Sequence, residues 1–193
     1  MNTLFPIYVK LDQINTLLIG GGPVGLEKLQ ALLSNSPRAR VKIIARDVID
    51  EIVALVNSNE VLSLEIREFQ EHDLEGIDLL IMATNNPEFN EEVKQLAKSR
   101  HLLINVADKP DLCDFYLGSV VQKGNLKIGI STNGKSPTIA KRLKEFLNDL
   151  LPEEIDETLN LMASYRNSLK GDFQRKVTVL NAHTESLLKG AGS

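Results

Sequence analysis

Three sets of residues in this 193-residue chain have types and spacings suited to chemistry. The first is Gly20-Gly21-Gly22-Pro23-Val24-Gly25, which fits G-x-G-x-x-G with glycines at 20, 22 and 25. An apolar run leads into it and a helical pattern leads out, the context that makes so short a pattern informative. In that setting Gly20 permits the tight turn, Gly22 lets the backbone approach a pyrophosphate, and Gly25 lets helix pack closely on strand. The helix start at Pro23-Val24 offers free N–H groups and a favourable dipole to phosphate. The chemistry is dinucleotide binding; the competing reading is a glycine-rich strand–helix turn that holds nothing. The fingerprint also expects an acidic residue near the end of the second strand, for ribose hydroxyls. Here Ala45 is followed by Arg46 and Asp47. Asp47 suits the adenosine ribose of NAD and Arg46 the 2′-phosphate of NADP; the residues alone leave both open.

The second set lies at the ends of two later apolar runs, Ala83-Thr84-Asn85-Asn86 and Asn105-Val106-Ala107-Asp108. Strand carboxyl ends line the ligand crevice of a doubly wound sheet. Thr84 and Asn85 are therefore candidate cofactor contacts, and Asn105 a candidate substrate contact. A carboxylate at Asp108 would stand near the reactive half of a nucleotide cofactor and could take a proton as hydride leaves a substrate. Position alone fits an aspartate in a surface turn before Lys109-Pro110 equally well.

The third set is an asymmetry of charge. Residues 115–144 carry six basic side chains (Lys123, Lys127, Lys135, Lys141, Arg142, Lys144) and no acidic one. Residues 146–165 carry five acidic ones (Asp149, Glu153, Glu154, Asp156, Glu157) and no basic one. This reads as an electropositive surface for an anionic ligand followed by a helical module, or as two solvated faces of ordinary helices. Other chemistries find little material. His72, His101 and His183 are scattered and read as surface or loop residues, so no metal site is expected. Cys113 stands alone and reads as a small buried hydrophobe. No Ser-His-Asp spacing or nucleophile elbow occurs.

The elements that must position these groups follow from periodicity. Ile14–Ile19, Val41–Ala45, Leu62–Ile66, Leu79–Ala83 and Leu103–Val106 read as strands, with the first broken by Gly20. Helices are expected from Pro23, over Val48–Val56, and from an Asn86 cap through Ala97. Strands alternating with helices predict a mostly parallel sheet. After Asp108 the texture changes. Ser119–Gln122 and Leu126–Ile130 flank Lys123-Gly124-Asn125 and read as a hairpin. Ser136-Pro137 then opens a helix to about Leu150, and two more follow over 153–170 and 173–188, parted near Gly171. The expected fold class is α/β: a Rossmann-type parallel sheet, a small middle segment and a C-terminal helical domain. Residues 190–193 read as a frayed tail.

Composition agrees with a globular protein of one large domain or two small ones: 42% hydrophobic, 25% charged, net charge −4. The net charge argues against a nucleic-acid partner. No apolar run approaches the roughly 18 to 20 residues of a membrane span, so no membrane partner is expected. The start of the chain lacks a secretory pattern. One cysteine excludes an internal disulfide. A cytoplasmic location is the expectation.

Read in order, certain residues resemble a known family: Phe5-Pro6-Ile7-Tyr8-Val9-Lys10-Leu11, the triple glycine with Val24 and Lys28, Ala83-Thr84-Asn85-Asn86 with Asn90, Asn105-Val106-x-Asp108, Leu112-Cys113-Asp114-Phe115, and Ile130-Ser131-Thr132-x-Gly134-Lys135-Ser136-Pro137 with Ala140 and Arg142-Leu143. The pattern resembles the precorrin-2 dehydrogenases of siroheme synthesis, both stand-alone enzymes and the N-terminal half of fused siroheme synthases. The match spans about residues 4–151. The glycine turn is common property, whereas Asn-Val-x-Asp followed by Ser-Thr-x-Gly-Lys-Ser-Pro is specific.

The resemblance implies oxidation of precorrin-2 to sirohydrochlorin, with NAD+ as acceptor and a proton lost from the macrocycle. It implies that Asp108 is the active-site aspartate and that Pro23, Val24, Arg46 and Asp47 meet the dinucleotide. It implies a homodimer, and some relatives also insert ferrous iron. Its domains would fall at 1–112 (NAD-binding), 113–148 (dimerisation, hairpin and helix) and 149–193 (helical). The substrate's eight carboxylates make Lys135, Ser136, Lys141 and Arg142 candidate contacts. Thr132 stands where some relatives carry a modifiable serine. Gly25 stands where many have alanine, a change that packing is expected to absorb; Asn133 replaces a glycine. With no room for a methyltransferase half, the chain is not expected to make its own substrate. Two readings stay beside the dehydrogenase: a bifunctional enzyme that also inserts iron, and a non-catalytic tetrapyrrole or dinucleotide sensor.

Overall fold

The computed structural model describes residues 2–169 and 173–184. They divide into two compact units at Gly118/Ser119. The break expected near Gly171, the end of the last helix to 188, and the tail lie outside the described residues.

The first unit is a five-stranded parallel sheet: β1 (Asn15–Gly21), β2 (Arg40–Val48), β3 (Leu62–Ile66), β4 (Leu79–Met82) and β5 (Leu103–Val106). Its order is β3-β2-β1-β4-β5, so the chain reverses direction across the sheet between β1 and β4. The connecting helices are α1 (Pro23–Asn35), α2 (Asp50–Asn57) and α3 (Pro87–Ser99). Strand alternation decides which face each residue serves. Leu17, Ile19, Leu80 and Met82 join Val93 and Ala97 of α3 in one core. Leu18, Ile43 and Ile81 join Leu29 and Leu32 of α1 and Ile52 of α2 in the other. Both faces are covered, which explains why the central strands read as unbroken apolar runs. Truncating a fully buried leucine such as Leu18 would cost about 2–5 kcal/mol.

Three boundaries around this turn differ from the sequence reading. β1 does not break at Gly20 but runs through Gly21, with a register shift between Ile19 and Gly21 where it meets Val48. β2 correspondingly reaches Val48, and α2 starts at Asp50 rather than Val48. The cause is a backbone bond from Ile49 N–H to the Gly21 carbonyl, 3.0 Å, which draws the two strand ends together past the irregularity.

Between β3 and β4 a short 3₁₀ turn, Glu71–Leu74, carries Asp73 with its side chain wholly buried. Its carboxylate accepts from Arg67 Nη1 (2.8 Å) and Nη2 (2.6 Å), Lys42 Nζ (3.2 Å) and the Gln70 backbone N–H (2.9 Å). The Arg67 guanidinium holds this carboxyl well below the usual carboxylate range.

The second unit opens with an antiparallel hairpin, β6 (Ser119–Lys123) and β7 (Leu126–Ile130), as expected. The helices α4 (Pro137–Leu150), α5 (Ile155–Ser168) and α6 (Phe173–Thr184) follow. Helix α4 packs on the hairpin, burying Ala140 and Val121. Asp156 of α5 clasps the hairpin turn: its Oδ1 accepts from Asn125 N–H (2.7 Å) and Nδ2 (2.9 Å), which lowers its carboxyl pKa. Gly124 must be glycine there, because its φ is +54° and a Cβ would stand 2.1 Å from the Asp156 carboxyl carbon. Lys123 also pairs with Glu153. These contacts group hairpin and later helices in one unit, where the sequence reading divided them at 148/149. Among the described residues no helix is long and apolar enough to cross a membrane.

Candidate functional site

The site forms where β1 and β4 lie side by side and the chain turns over the sheet's carboxyl edge. Gly20 has φ +122°, and a Cβ on it would stand 2.3 Å from the Ala83 carbonyl oxygen. The two strand ends therefore meet only because residue 20 has no side chain. A Cβ at Gly25 would stand 2.3 Å from the Gly20 carbonyl oxygen, so in this chain the helix start is closed over a missing methyl. Gly22 is different. Its backbone is ordinary extended chain (φ −90°, ψ −168°), and an added Cβ would meet nothing within 4 Å. Packing does not require glycine at 22; open space lies in front of it.

Gly22 caps α1 without a side chain, and Pro23 occupies the first helical position. The first-turn N–H groups of Val24 and Gly25 thus receive no side-chain cap, the arrangement that suits a phosphate. An open approach at Gly22 beside uncapped helix N–H groups fits a dinucleotide pyrophosphate. Val24 lines a crevice with Ala83, Thr84, Asn85, Asn90 and Asp108. The cavity is about 190 Å³. Whole small-molecule ligands usually occupy roughly 300–1,000 Å³. The crevice therefore has room for only part of such a ligand, with open surface beyond it at Gly22.

Asp108 sits at the crevice by backbone design. Lys109 N–H bonds to the Val106 carbonyl (3.2 Å), closing a tight turn off β5, and Asp108 occupies its third position with φ +57°. Aspartate and asparagine tolerate this left-handed conformation better than other side-chain-bearing residues. Its carboxylate is exposed and makes no hydrogen bond among those of the described residues, so it is free to serve a ligand.

Asn105 is turned inward. It is buried, and its Nδ2 donates to the Phe115 carbonyl (2.9 Å) and toward Cys113 Sγ (3.5 Å). Cys113 is more than a small hydrophobe. Its thiol donates to the Val106 and Lys109 carbonyls and its sulfur accepts from Val106 N–H, while burial pushes its pKa up. Both residues stitch segment 113–118 to the sheet and so hold the Asp108 turn from behind.

At the other end of the site, Arg46 and Asp47 lie exposed near the end of β2. Arg46 Nη2 reaches Glu68 Oε1 at 3.2 Å, so its charge is already answered. His72 and His101 are on the surface, as expected.

The second unit holds the remaining candidates. Ser136 caps α4, its Oγ accepting from Ile139 N–H (3.2 Å). Thr132 Oγ1 accepts from Ser136 N–H and donates to the Ser136 carbonyl, each at 3.2 Å. Asn133 has φ +55°, a conformation asparagine accepts, which accounts for its standing in place of glycine. Lys135, Lys141 and Arg142 are exposed on this loop and helix.

Asn90 entered the sequence reading only as part of the family pattern, with no site role. It is 1% exposed and lines the crevice. The available signal was a polar residue on the buried face of α3, three and seven positions before Val93 and Ala97. The Lys42–Arg67–Asp73 cluster was missed; it carries structure rather than ligand.

Comparison with known proteins adds three findings. A family model described as putative NAD(P)-binding matches residues 7–119, and one described as sirohaem biosynthesis protein central matches residues 123–150. Siroheme synthase from Vesicomyosocius okutanii subsp. Calyptogena okutanii is 34% identical over 91% of this chain and 37% of its own length. Siroheme synthase from Pseudoalteromonas translucida is 33% identical over 88% of this chain and 35% of its own. The chain thus spans about a third of the length of these curated relatives. Among solved structures, the precorrin-2 dehydrogenase SirC superposes with a TM-score of 0.74 at 24% identity, covering 93% of this chain and 88% of that one, which shows a shared fold.

Proposed function

The chain belongs to the NAD(P)-binding family shared by precorrin-2 dehydrogenases and the N-terminal part of siroheme synthases, and from that membership we propose that it oxidises precorrin-2 to sirohydrochlorin with NAD+. The observation that carries this reading is one crevice shared by the uncapped start of α1 and the free carboxylate of Asp108. NAD+ held at this site would supply the acceptor for the hydride that the macrocycle gives up. Asp108 takes the proton lost from the macrocycle in the same oxidation, so two hydrogens leave as hydride and proton. The first turn of α1 and Gly22 hold the pyrophosphate. Thr84 and Asn85 border the nicotinamide end, and Asp47 the adenosine ribose. Lys135, Lys141 and Arg142 answer carboxylates of the substrate, with the start of α4 behind them. Asn105 orients the site from within. The basic stretch, the negative chain and an octacarboxylate substrate are then mutually consistent.

In this reading the first unit, to Gly118, binds NAD, and the hairpin with α4 serves dimerisation. Helix α4 leaves Ile139, Leu143, Phe146 and Leu150 exposed on one stripe, and a second copy of the chain covers it. The reaction takes place in the cytoplasm.

The test is anaerobic. Precorrin-2 is generated in situ, and sirohydrochlorin absorption is followed with NAD+. Wild-type chain should turn over. Asp108→Asn keeps the left-handed turn and removes the base, so turnover should fall by about 10²- to 10⁴-fold. Asp108→Ala should slow it similarly with added strain. A folded, NAD+-binding chain that forms no sirohydrochlorin refutes the enzyme and leaves a sensor.

A further inference from the structure

Among the described residues, Asn90 is the one fully buried polar side chain lining the crevice, and its bonds are informative. Its Nδ2 donates to the Thr84 carbonyl at 3.3 Å, and its Oδ1 accepts from Thr84 Oγ1 at 2.5 Å. The amide orientation follows from its partners. A backbone carbonyl can only accept, so the nitrogen must face it. Flipping the amide would set two acceptors against each other. The oxygen must then face the Thr84 hydroxyl, and the hydroxyl must spend its single proton there. Thr84 Oγ1 therefore turns only lone pairs toward any ligand in the crevice.

We propose that Asn90 is a positioning residue that fixes the Thr84 hydroxyl as an obligate acceptor, so that the crevice selects a hydrogen-bond donor, a hydroxyl or amide N–H, at the inner end of the dinucleotide. The inference rests on the NAD+ reading above and deepens it. Three features of the fold hold the device in place. The Ala83 N–H bonds to the Ile19 carbonyl (2.8 Å), fixing the strand end from which Thr84 leads. Asn86 caps α3 by accepting from Phe89 N–H (3.1 Å). Asn90 N–H bonds to the Asn86 carbonyl (3.0 Å), so the chain from 84 to 90 closes on itself. An anionic group at this point would face lone pairs. Phosphate is thus directed to the helix start at Gly22, and the neutral donor end to Thr84. The crevice orients the ligand by polarity as well as by shape.

The experiment is titration calorimetry of NAD+ and ADP-ribose into wild-type and variant chains, with thermal unfolding of each unliganded variant. Thr84→Val removes the acceptor and should weaken NAD+ by about tenfold; Thr84→Ser should restore what is lost. Asn90→Leu should weaken NAD+ by a similar factor, and the Thr84→Val/Asn90→Leu pair by no more than either alone. Asn90→Asp can face the Thr84 carbonyl only when protonated. Its affinity relative to wild type should therefore recover as pH falls from 8 to 5.5, a profile that remains readable if Asn90→Leu does not fold. A loss seen with both ligands identifies a ribose hydroxyl as the donor; a loss with NAD+ alone identifies the carboxamide. Additive losses, unchanged affinity in Thr84→Val, or a pH-independent Asn90→Asp overturn the inference while wild-type binding stands. A wild-type chain that binds no NAD+ overturns the functional reading and this inference together.

Discussion

Replacing Gly22 with alanine separates ligand binding from folding at the point where the two are usually confounded. At this backbone (φ −90°) any L-residue is comfortable, and the new methyl would meet no atom within 4 Å. Removing glycine restricts the unfolded chain, worth about 0.4–1 kcal/mol in favour of the fold. Against this, alanine is a poorer helix N-cap than glycine by about 0.5–1 kcal/mol. The two nearly cancel, so unfolding free energy in urea should change by less than about 0.5 kcal/mol. The same methyl points into the space that a pyrophosphate would enter, so NAD+ should weaken at least about tenfold, or about 1.4 kcal/mol. Gly20→Ala should behave in the opposite way. Its φ of +122° and a Cβ 2.3 Å from the Ala83 carbonyl combine strain and overlap, each costing about 1–3 kcal/mol. Urea unfolding should therefore show a loss of about 2–6 kcal/mol for Gly20→Ala, the two effects taken together. A Gly22→Ala chain that binds NAD+ normally would refute the placement of the phosphates; one that loses more than about 1 kcal/mol of stability would refute the open space.

Three further outcomes are expected. Asp73→Asn breaks a buried carboxylate cluster whose cationic partners still reach water, so it should cost about 2–3 kcal/mol at pH 7. Because the folded-state pKa of Asp73 lies below its unfolded value near 4, that stabilisation is present above about pH 4 and fades as pH falls further. The gap between wild type and variant in urea should narrow from pH 5 to pH 3; a constant gap refutes the ionic account. Glu68→Gln frees Arg46 at little cost, since both partners of this pair are largely exposed. The ratio of NADP+ to NAD+ affinity should rise about 3- to 10-fold at low salt, as one less negative charge several ångströms from a 2′-phosphate allows; no change would remove Arg46 and Glu68 from nucleotide choice. Phe146→Lys places a charge in the exposed α4 stripe and should shift light scattering from dimer toward monomer, whereas an unaltered mass means the stripe is not the dimer surface.

What the sequence disclosed follows from which signals are local. The glycine turn, the Asn86 and Ser136 caps and the 119–130 hairpin were legible because each is set by residues within a few positions of one another. The extension of β1 through Gly21 was not, since glycine ordinarily ends a strand. Here a partner outside the strand, Ile49, keeps the pairing going. Asp108 could be placed at a strand end but not aimed; its left-handed turn is a backbone fact. Asn105 shows the converse. Its position by the crevice suggested a ligand, yet its amide is satisfied by Phe115, ten residues on. Asp73 draws Lys42 from thirty-one residues away, and Asn90 meets Thr84 only because the first turn of α3 folds back over the loop before it, which composition cannot register.

The return of residues 113–118 onto the sheet bears on how this architecture can be cut and rejoined. Phe115 and Leu117 pack against the core beneath α1 and α2, and the Phe115 carbonyl receives the Asn105 amide. A fragment ending at Leu112 would strip the acceptor from a buried donor and uncover apolar surface, whereas one ending at Gly118 keeps both. Any splice joining this sheet to a different neighbour must therefore carry the six residues beyond the short 3₁₀ turn Pro110–Leu112 with it. The natural seam for recombination lies at Gly118, downstream of the point where the strand–helix alternation ends.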